Sequence, residues 1–472
     1  MSKDKTSNPQ TEVISDARTL GIPKMLLLGL QHLFAMFGAT VLVPMLVNSY
    51  FFEATGENIT SGLTVAVTLF CAGFGTLFFH VCSKMKVPAF LGSSFAFLGG
   101  FSTVANLQDG IYAGMGANEK VAYACGGIVI AGLLYLVLAL IVKLVGVKKV
   151  MRFLPPVVTG PIIICIGLSL AGSAINNASQ NWLLALIALG VIIIFNIWGK
   201  GMFKIIPILM GVVIAYVVAV ILNACGLTNP DGSAIINYAP VAEASWIGFP
   251  KFSFCKFDLT AIFVMAPIAI ASMMEHIGDM SAISATVGKN FIEDPGIHRT
   301  LIGDGLATSL SGLVGGPANT TYGENTGVLE LSKVHDPRVI RLAALFAIIL
   351  SFVPKFSSVI STMPTAIIGG ISFMLYGMIS AIGVRNVVEN KVDLTKSRNL
   401  IIVGVIFVCG LGFSSGLTFT IFGKSITLTA LAIAAIAGIL LNAILPGKDY
   451  EFGKNPEGDK SRGVYVSNTD NK

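Results

Sequence analysis

Charged side chains are scarce in this chain: Asp, Glu, Lys and Arg make up 12% of its 472 residues, against about 25% in an average protein. A water-soluble chain of this length needs charge to cover its surface, so the shortage excludes a soluble globular protein. Metal-binding cysteine patterns are missing too. None of the seven cysteines stands in a C-x-x-C or other metal-ligand spacing, so no metal is expected. Nor do polar and apolar residues alternate, as the strands of a membrane β-barrel require. No nucleophile, metal or phosphate motif is present, so no catalytic residue and no cofactor is expected, and the chain does not read as an enzyme. The first 23 residues are polar and are not followed by a short apolar stretch with an A-x-A site, so no cleavable signal is expected.

Apolar sequence is what the chain has in quantity. Hydrophobic residues make up 54%, and the mean hydropathy is +0.80. Runs such as Ile128–Val142, Trp182–Trp198, Leu209–Leu222 and Leu342–Val353 recur along the whole length. A span needs roughly 20 apolar residues to cross the hydrocarbon core. Its backbone must satisfy its own hydrogen bonds there, which without a barrel leaves only helices. The 51 glycines suit close helix packing in lipid. Most cysteines (Cys71, Cys82, Cys125, Cys165 and Cys409) fall in or beside apolar runs and read as buried thiols. Cys225 and Cys255 flank a polar loop and could pair if it faces an oxidising compartment.

The pattern predicts an all-α integral membrane protein of fourteen spans, near residues 24–48, 60–80, 88–105, 121–142, 154–173, 181–198, 205–224, 259–283, 300–313, 318–332, 339–354, 361–383, 399–415 and 425–446. Cytoplasmic loops collect Lys and Arg, which tests the count. With the N-terminus inside and the sides alternating, only Lys120, Lys251, Lys256, Lys355 and Lys424 fall outside; the other 26 of the 31 basic residues fall inside. One span too many or too few would scramble that bias downstream, so both termini are expected in the cytoplasm. The net charge of +6 reflects this asymmetry and calls for no nucleic acid.

Fourteen spans divide into two sevens, and an odd-numbered repeat places its second copy upside down. Short Gly/Pro-interrupted segments at matching positions of inverted repeats point to a substrate site. Span three opens with Val87-Pro88-Ala89-Phe90-Leu91-Gly92-Ser93-Ser94-Phe95, and span ten with Gly315-Gly316-Pro317-Ala318-Asn319-Thr320-Thr321-Tyr322-Gly323-Glu324-Asn325. Proline removes a donor and forces the preceding residue into an extended conformation. Spans 3 and 10 are therefore expected to be discontinuous, each a short extended segment followed by a half-helix whose free N–H groups lie at membrane depth. Either segment alone reads as an ordinary kinked span; the paired occurrence favours the functional reading.

Ionisable groups at membrane depth cost roughly 2.5–3.5 kcal/mol each on insertion scales and are functional candidates by default. Glu275 in span eight and Glu324 in span ten lie inside apolar segments with no Lys or Arg at that depth. Asp279 shares a helix face with Glu275, and either binds there or is solvated near the cytoplasmic end. Asp304, near the start of span nine, is expected within reach of the interface as a cap or helix contact. His276, like His32 in span one, reads first as a packing residue, and Phe95 and Tyr376 as core aromatics. Burial disfavours the charged carboxylate, so these isolated groups suit proton exchange better than Na⁺. A carboxylate also fits the N–H edge of a heterocycle, half-helix amides fit ring carbonyls, and Phe95 can stack on the ring. An inorganic anion would want a cationic pocket, and none is visible.

Gln31-His32-Leu33-Phe34-Ala35-Met36-Phe37-Gly38-Ala39-Thr40, Leu91-Gly92-Ser93-Ser94-Phe95-Ala96-Phe97, Glu275-His276-Ile277-Gly278 and Asn319-Thr320-Thr321-Tyr322-Gly323-Glu324-Asn325 closely resemble the nucleobase–ascorbate (nucleobase:cation symporter-2) transporters. Within that family they look most like the bacterial uracil permeases. The resemblance runs from about residue 20 to residue 446. It implies a core domain in two parts, residues 24–153 (spans 1–4) and 259–354 (spans 8–11), and a gate domain of residues 154–224 (spans 5–7) and 355–446 (spans 12–14). Residues 1–23 and 447–472 would be cytoplasmic tails, and 225–258 an extracytoplasmic loop. The resemblance further implies uracil bound by Glu275 and Glu324, with the backbone around Phe95, Tyr322 and Gly323 completing the pocket together with Ala39, Phe95 packed on the ring, and Tyr376 closing it from the gate.

By the same resemblance the activity is H⁺-coupled import through alternating access, in the bacterial inner membrane and commonly as a homodimer. Glu275, Glu324, Asp279, Asp304 and His276 are the candidates for proton coupling. Two departures matter: Asp279 stands where some uracil permeases have a His that helps relay the proton, and Ser332 stands where the family has a Thr. A xanthine or urate permease is the alternative within the family, and an anion exchanger the alternative within the fold.

Overall fold

The computed structural model describes residues 13–447 apart from 231, 414–415 and 422–423. Most of the two expected tails, and with them Lys3, Lys5 and the basic residues from Lys448 onward, lie outside the described residues.

Helices dominate, and they start and stop where local chemistry tells them to. Helix α1 (Ile22–Thr55) opens with a proline in its first turn and ends at Gly56, whose φ of 74° suits glycine. Helix α2 (Val65–Cys82) is capped by the Thr64 side chain accepting from the Val67 N–H. A strand, β1 (Leu91–Ser93), leads into α3 (Phe95–Ala105), and then come α4 (Ala117–Val145), α5 (Pro156–Ser179), α6 (Trp182–Trp198), α7 (Pro207–Ala224) and α8 (Leu259–Val287). After α9 (Ile297–Leu313), strand β2 (Asn319–Thr321) leads into α10 (Gly323–Ser332). The chain closes with α11 (Pro337–Ser351), α12 (Thr365–Glu389), α13 (Ser397–Gly412) and α14 (Ala430–Ile444).

Among the described residues seven helices are long and apolar enough to cross a membrane, and an eighth if α11 is joined to the short helix Pro354–Ser361, which bends away from it by 86°. Shorter apolar helices are α3, α6, α13 and α14. The packing follows a pattern. Helix α11 lies against α2 and α1, while α9 lies against α4 and α2, and α4 also packs on α8. Elsewhere α5 packs on α12 and α13, α6 on α7 and α12, and α13 on α14. Smaller contacts join α1 to α7 and α8 to α14.

Two expectations are corrected. The chain is not purely helical: β1 pairs with β2, and Leu417–Ile421 pairs with Lys424–Leu428. The second hairpin takes the residues expected to open span fourteen at 425, and α14 starts only at Ala430 behind its Thr429 cap. Its Thr- and Ile-rich alternation is strand sequence, which an averaged hydropathy merges into the following helix. Lys120 was expected in a loop; it sits in the first turns of α4 and is buried. Cys225 and Cys255 are both free thiols, the first exposed and the second half-buried.

A crossing of two half-helices lined by carboxylates

The two segments with the weakest helical sequence come together. Strand β1 pairs antiparallel with β2 in the register Leu91↔Thr321, Gly92↔Thr320 and Ser93↔Asn319. The Ser94 N–H donates to the Ala318 carbonyl at 2.9 Å, and the Tyr322 N–H donates to the Phe90 carbonyl at 3.0 Å, extending the ladder at both ends. A two-stranded ribbon leaves its outer edges without partners, which is untenable inside a bundle. A threonine satisfies each edge. Thr76 Oγ1 accepts from the Leu91 N–H at 2.9 Å and donates to the Leu91 carbonyl at 3.2 Å. Thr308 Oγ1 does the same for Asn319, at 3.1 and 3.2 Å. Both threonines escaped the sequence reading. Each is one of several polar residues in the helix preceding a broken span, and a Thr in a membrane helix is too common to stand out.

Half-helices α3 and α10 leave the ribbon from opposite ends, so their N-termini lie close to the crossing. Neither has a side-chain cap: Ser94 and Tyr322 precede the first turns without bonding to them. The first-turn N–H groups and the positive ends of both helix dipoles are thus available to a ligand. Gly323 is exposed at the start of α10, and Glu324 is half-buried in its first turn.

Helix α8 supplies the facing carboxylates. Glu275 and Asp279 lie one turn apart on it, both half-buried, with Gly278 exposed beside them. Asp279 reaches the crossing, since a Cβ built on Gly323 would lie 3.9 Å from Asp279 Oδ1. Among the described residues no lysine or arginine forms an ion pair with Glu275, Asp279, Asp304 or Glu324. Next to Gly278, a small crevice of ≈ 20 Å³ opens between α8 (Met274, Ile277, Ser281) and a facing wall of Met151, Leu154, Thr159 and Asn386.

The aromatics close one side. The Phe95 and Tyr376 rings meet edge-on with centroids 6.2 Å apart, which joins α3 to α12. The Tyr322 side chain braces the ribbon. Its hydroxyl donates to the Ser93 carbonyl at 2.9 Å, and its ring fills the space over Gly92, where any Cβ would collide with it. It therefore holds the ribbon together. Ala39 is fully buried in α1.

Asp304 requires a correction. It was expected near the interface, but it is fully buried, with Oδ2 2.9 Å from His276 Nδ1. The same His276 nitrogen lies 2.9 Å from Thr321 Oγ1, and Nε2 lies 3.0 Å from Thr300 Oγ1. The pair backs the β2 strand and does not line the crevice, because His276 follows Glu275 directly and so faces another side of α8. Across the ribbon, Asn325 donates to the His32 carbonyl at 3.0 Å and tethers α10 to α1.

Lys120 is the other residue the sequence reading misplaced. Its Nζ donates to the carbonyls of Ala105 at 2.8 Å and Leu107 at 2.7 Å. These groups lie at the C-terminal end of α3, where a cation offsets the dipole and satisfies free carbonyls. Hydrogen bonds from charged groups contribute about 1.5–3 kcal/mol. Lys120→Met should therefore lower the thermal midpoint in detergent and slow transport, whereas Lys120→Arg should restore part of both. A Lys120→Met protein with an unchanged midpoint would show that α3 does not depend on this cap.

Two half-helices paired through a short ribbon inside a bundle of apolar helices define a multi-pass membrane protein. Residues 23–419 match the permease family, and the chain belongs to the nucleobase:cation symporter-2 family of transporters. It is 40% identical to the uracil permease of Bacillus caldolyticus over 450 residues, covering 92% of this chain and 94% of that protein. It is 39% identical to the uracil permease of Bacillus subtilis (strain 168) over 436 residues, covering 88% and 91%. Its fold is also that of the transmembrane domain of a cyanobacterium bicarbonate transporter, BicA, with a TM-score of 0.52 at 19% identity, covering 82% of this chain and 96% of that one.

Proposed function

We propose that the protein imports uracil together with H⁺ by alternating access. The observation that carries this reading is the pair of uncapped half-helix N-termini facing Glu275 and Glu324, carboxylates without a cationic partner. Such a site suits a neutral planar solute. A carboxylate can accept from the ring N–H groups, first-turn amides can donate to the ring carbonyls, and the Phe95–Tyr376 pair can cover the ring face. Bound uracil would need at least one carboxyl to change its protonation as the site alternates between the two sides. Asp279 is the neighbour best positioned to share that proton, in place of the His found in some relatives. The Asp304–His276 pair would act from behind the β2 strand. That the relatives are named uracil permeases supports the choice of solute.

In this reading the chain forms fourteen spans in two inverted repeats of seven, and the packing supports it. Adding seven to each helix number turns α2–α11 into α9–α4, α1–α11 into α8–α4, α6–α7 into α13–α14, and α1–α7 into α8–α14; every one of these pairs is in contact. Helices α1–α4 and α8–α11 form the core, and α5–α7 and α12–α14 the gate. Both termini lie in the cytoplasm of a bacterial inner-membrane protein that works as a homodimer.

Uptake of radiolabelled uracil into proteoliposomes tests the proposal. An inward proton gradient should drive accumulation above equilibrium, and neither Na⁺ nor sulfate should alter it. Xanthine outcompeting uracil would overturn the choice of base. Accumulation that followed a Na⁺ gradient instead would overturn the coupling. Competition by sulfate or bicarbonate would favour the anion-exchange reading that the BicA-like fold raises.

A further inference from the structure

The stretch 245–259, between the short helix Ala239–Glu243 and α8, is an extended strap. Its backbone is bonded to four helix ends in turn. Gly248 N–H donates to Phe352 at the end of α11, and Lys355 N–H to Ser245, at 3.1 and 3.0 Å. Gly62, ahead of α2, donates to Lys251 at 2.8 Å; Ser253 and Cys255 both donate at 3.2 Å to Val314 and Leu313 at the end of α9; and Lys256 donates to Ala122 in α4 at 2.9 Å. These partners are the residues where the apolar helices begin or stop, so the strap lies at the level where hydrocarbon gives way to head groups.

Its outward face is aromatic. Trp246 is 73% exposed, Phe249 85% and Phe254 83%, and Ile247 and Phe257 are exposed with them. These side chains are carried on a strap whose backbone is bonded to four helix ends. Basic residues lie among them. Lys355 Nζ sits 5.7 Å from the centre of the Trp246 ring and Lys256 Nζ 5.7 Å from that of Tyr123, while Lys251 is exposed with no ion-pair partner among the described residues. Tryptophan and tyrosine concentrate at membrane–water interfaces because their rings are apolar at one end and polar at the other, and lysine stems reach from that level to phosphates. Holding five large apolar side chains in water would be costly, and the lysines beside them suit a surface that is apolar at one level and anionic at the next.

We infer that segment 245–259 is an interfacial anchor that seats this rim of the bundle in the phospholipid head-group layer, with Lys251 directed at lipid phosphates. With the orientation proposed above, that layer belongs to the extracytoplasmic leaflet. Because the strap is bonded to α2, α4, α9 and α11, it sets the height of the half-helix crossing relative to the bilayer.

Trp246 supplies the test. The chain has three tryptophans, so Trp182→Phe with Trp198→Phe leaves Trp246 as the reporter. The full chain is reconstituted in phosphatidylethanolamine/phosphatidylglycerol vesicles whose acyl chains are brominated near the head group or near the terminal methyl. Shallow bromines should remove most of the Trp246 emission, deep bromines much less, and aqueous acrylamide little. Adding Phe249→Ser and Phe254→Ser should move Trp246 into acrylamide's reach while thermal unfolding stays cooperative. Strong acrylamide quenching without bromine quenching would overturn the inference in favour of a solvated loop. Shielding from both quenchers would overturn it in favour of a protein partner such as a second copy. Neither readout depends on which base is carried, so this inference and the transport proposal fail separately.

Discussion

Glu275→Gln should cut uracil uptake to a small residue while leaving the protein folded. Glu275 is half-buried on α8 and has no ion-pair partner among the described residues. Replacing it with the near-isosteric amide removes no packing, so the thermal midpoint should change little, as for substitutions outside buried networks. Binding is another matter. An amide oxygen accepts from a ring N–H more weakly than a carboxylate does, and its NH₂, where it faces the ring N–H, sets donor against donor. Losing a charge-assisted hydrogen bond costs about 3 kcal/mol, or roughly a hundredfold in affinity. The variant also loses the proton that Glu275 would carry, so the residual uptake should no longer respond to an imposed pH gradient. Initial rates in proteoliposomes, with and without the gradient, check both halves of the prediction. Wild-type transport in the variant would remove Glu275 from the site altogether.

The second large effect should come from a single methyl group. In Gly92→Ala the new Cβ would run into the Tyr322 ring, and Gly92 cannot move aside because the strand is paired with β2 on one edge and held by Thr76 on the other. Overpacking of this kind costs about 1–3 kcal/mol. Here the strain falls on the turn that delivers Gly323 and Glu324 to the site. Transport should fall to background, and the thermal midpoint should drop by several degrees. Tyr322→Ala vacates the space but gives up the bond to the Ser93 carbonyl, so alone it should be moderately destabilising. Gly92→Ala should then cost little in the Tyr322→Ala background, a coupling that a double-mutant cycle on the midpoint detects. Additive effects would mean that the ring and the glycine do not share one packing constraint.

Some features of the site can be read from one stretch of chain at a time. A proline with glycines and hydroxyl residues in an otherwise apolar span breaks a helix wherever it occurs. Both interruptions, at Pro88 and Pro317, accordingly fall where local sequence put them, ahead of strands β1 and β2. Glu275 and Asp279 share a face because they are four residues apart on a helix. Other features belong to no single stretch. Ser93 and Tyr322 bond to one another although they are 229 residues apart, and no local pattern encodes that partnership. Asp304 looked interfacial because it is near the start of its span, but depth in a bundle depends on the neighbouring helices, and His276 with Thr300 surrounds it. Lys120 looked like a loop residue because its charge lowers the hydropathy at the start of α4. It is buried because the end of α3 supplies carbonyls that a sequence window cannot see.

The fewness of charges thus determined a good deal by itself. It required a membrane-embedded helical chain, set a basic bias between the two sets of loops, and singled out the carboxylates that could not be mere surface. Those conclusions depend on transfer free energies, which each residue carries with it wherever it is placed. Only the tertiary structure decided that the two broken spans form one ribbon, that Asp279 reaches Gly323 while His276 turns away with Asp304, and that Thr76, Thr308 and Lys120 satisfy the groups the breaks leave open. Those outcomes depend on which segments meet, and a hydrogen bond has direction and length only between partners already brought together.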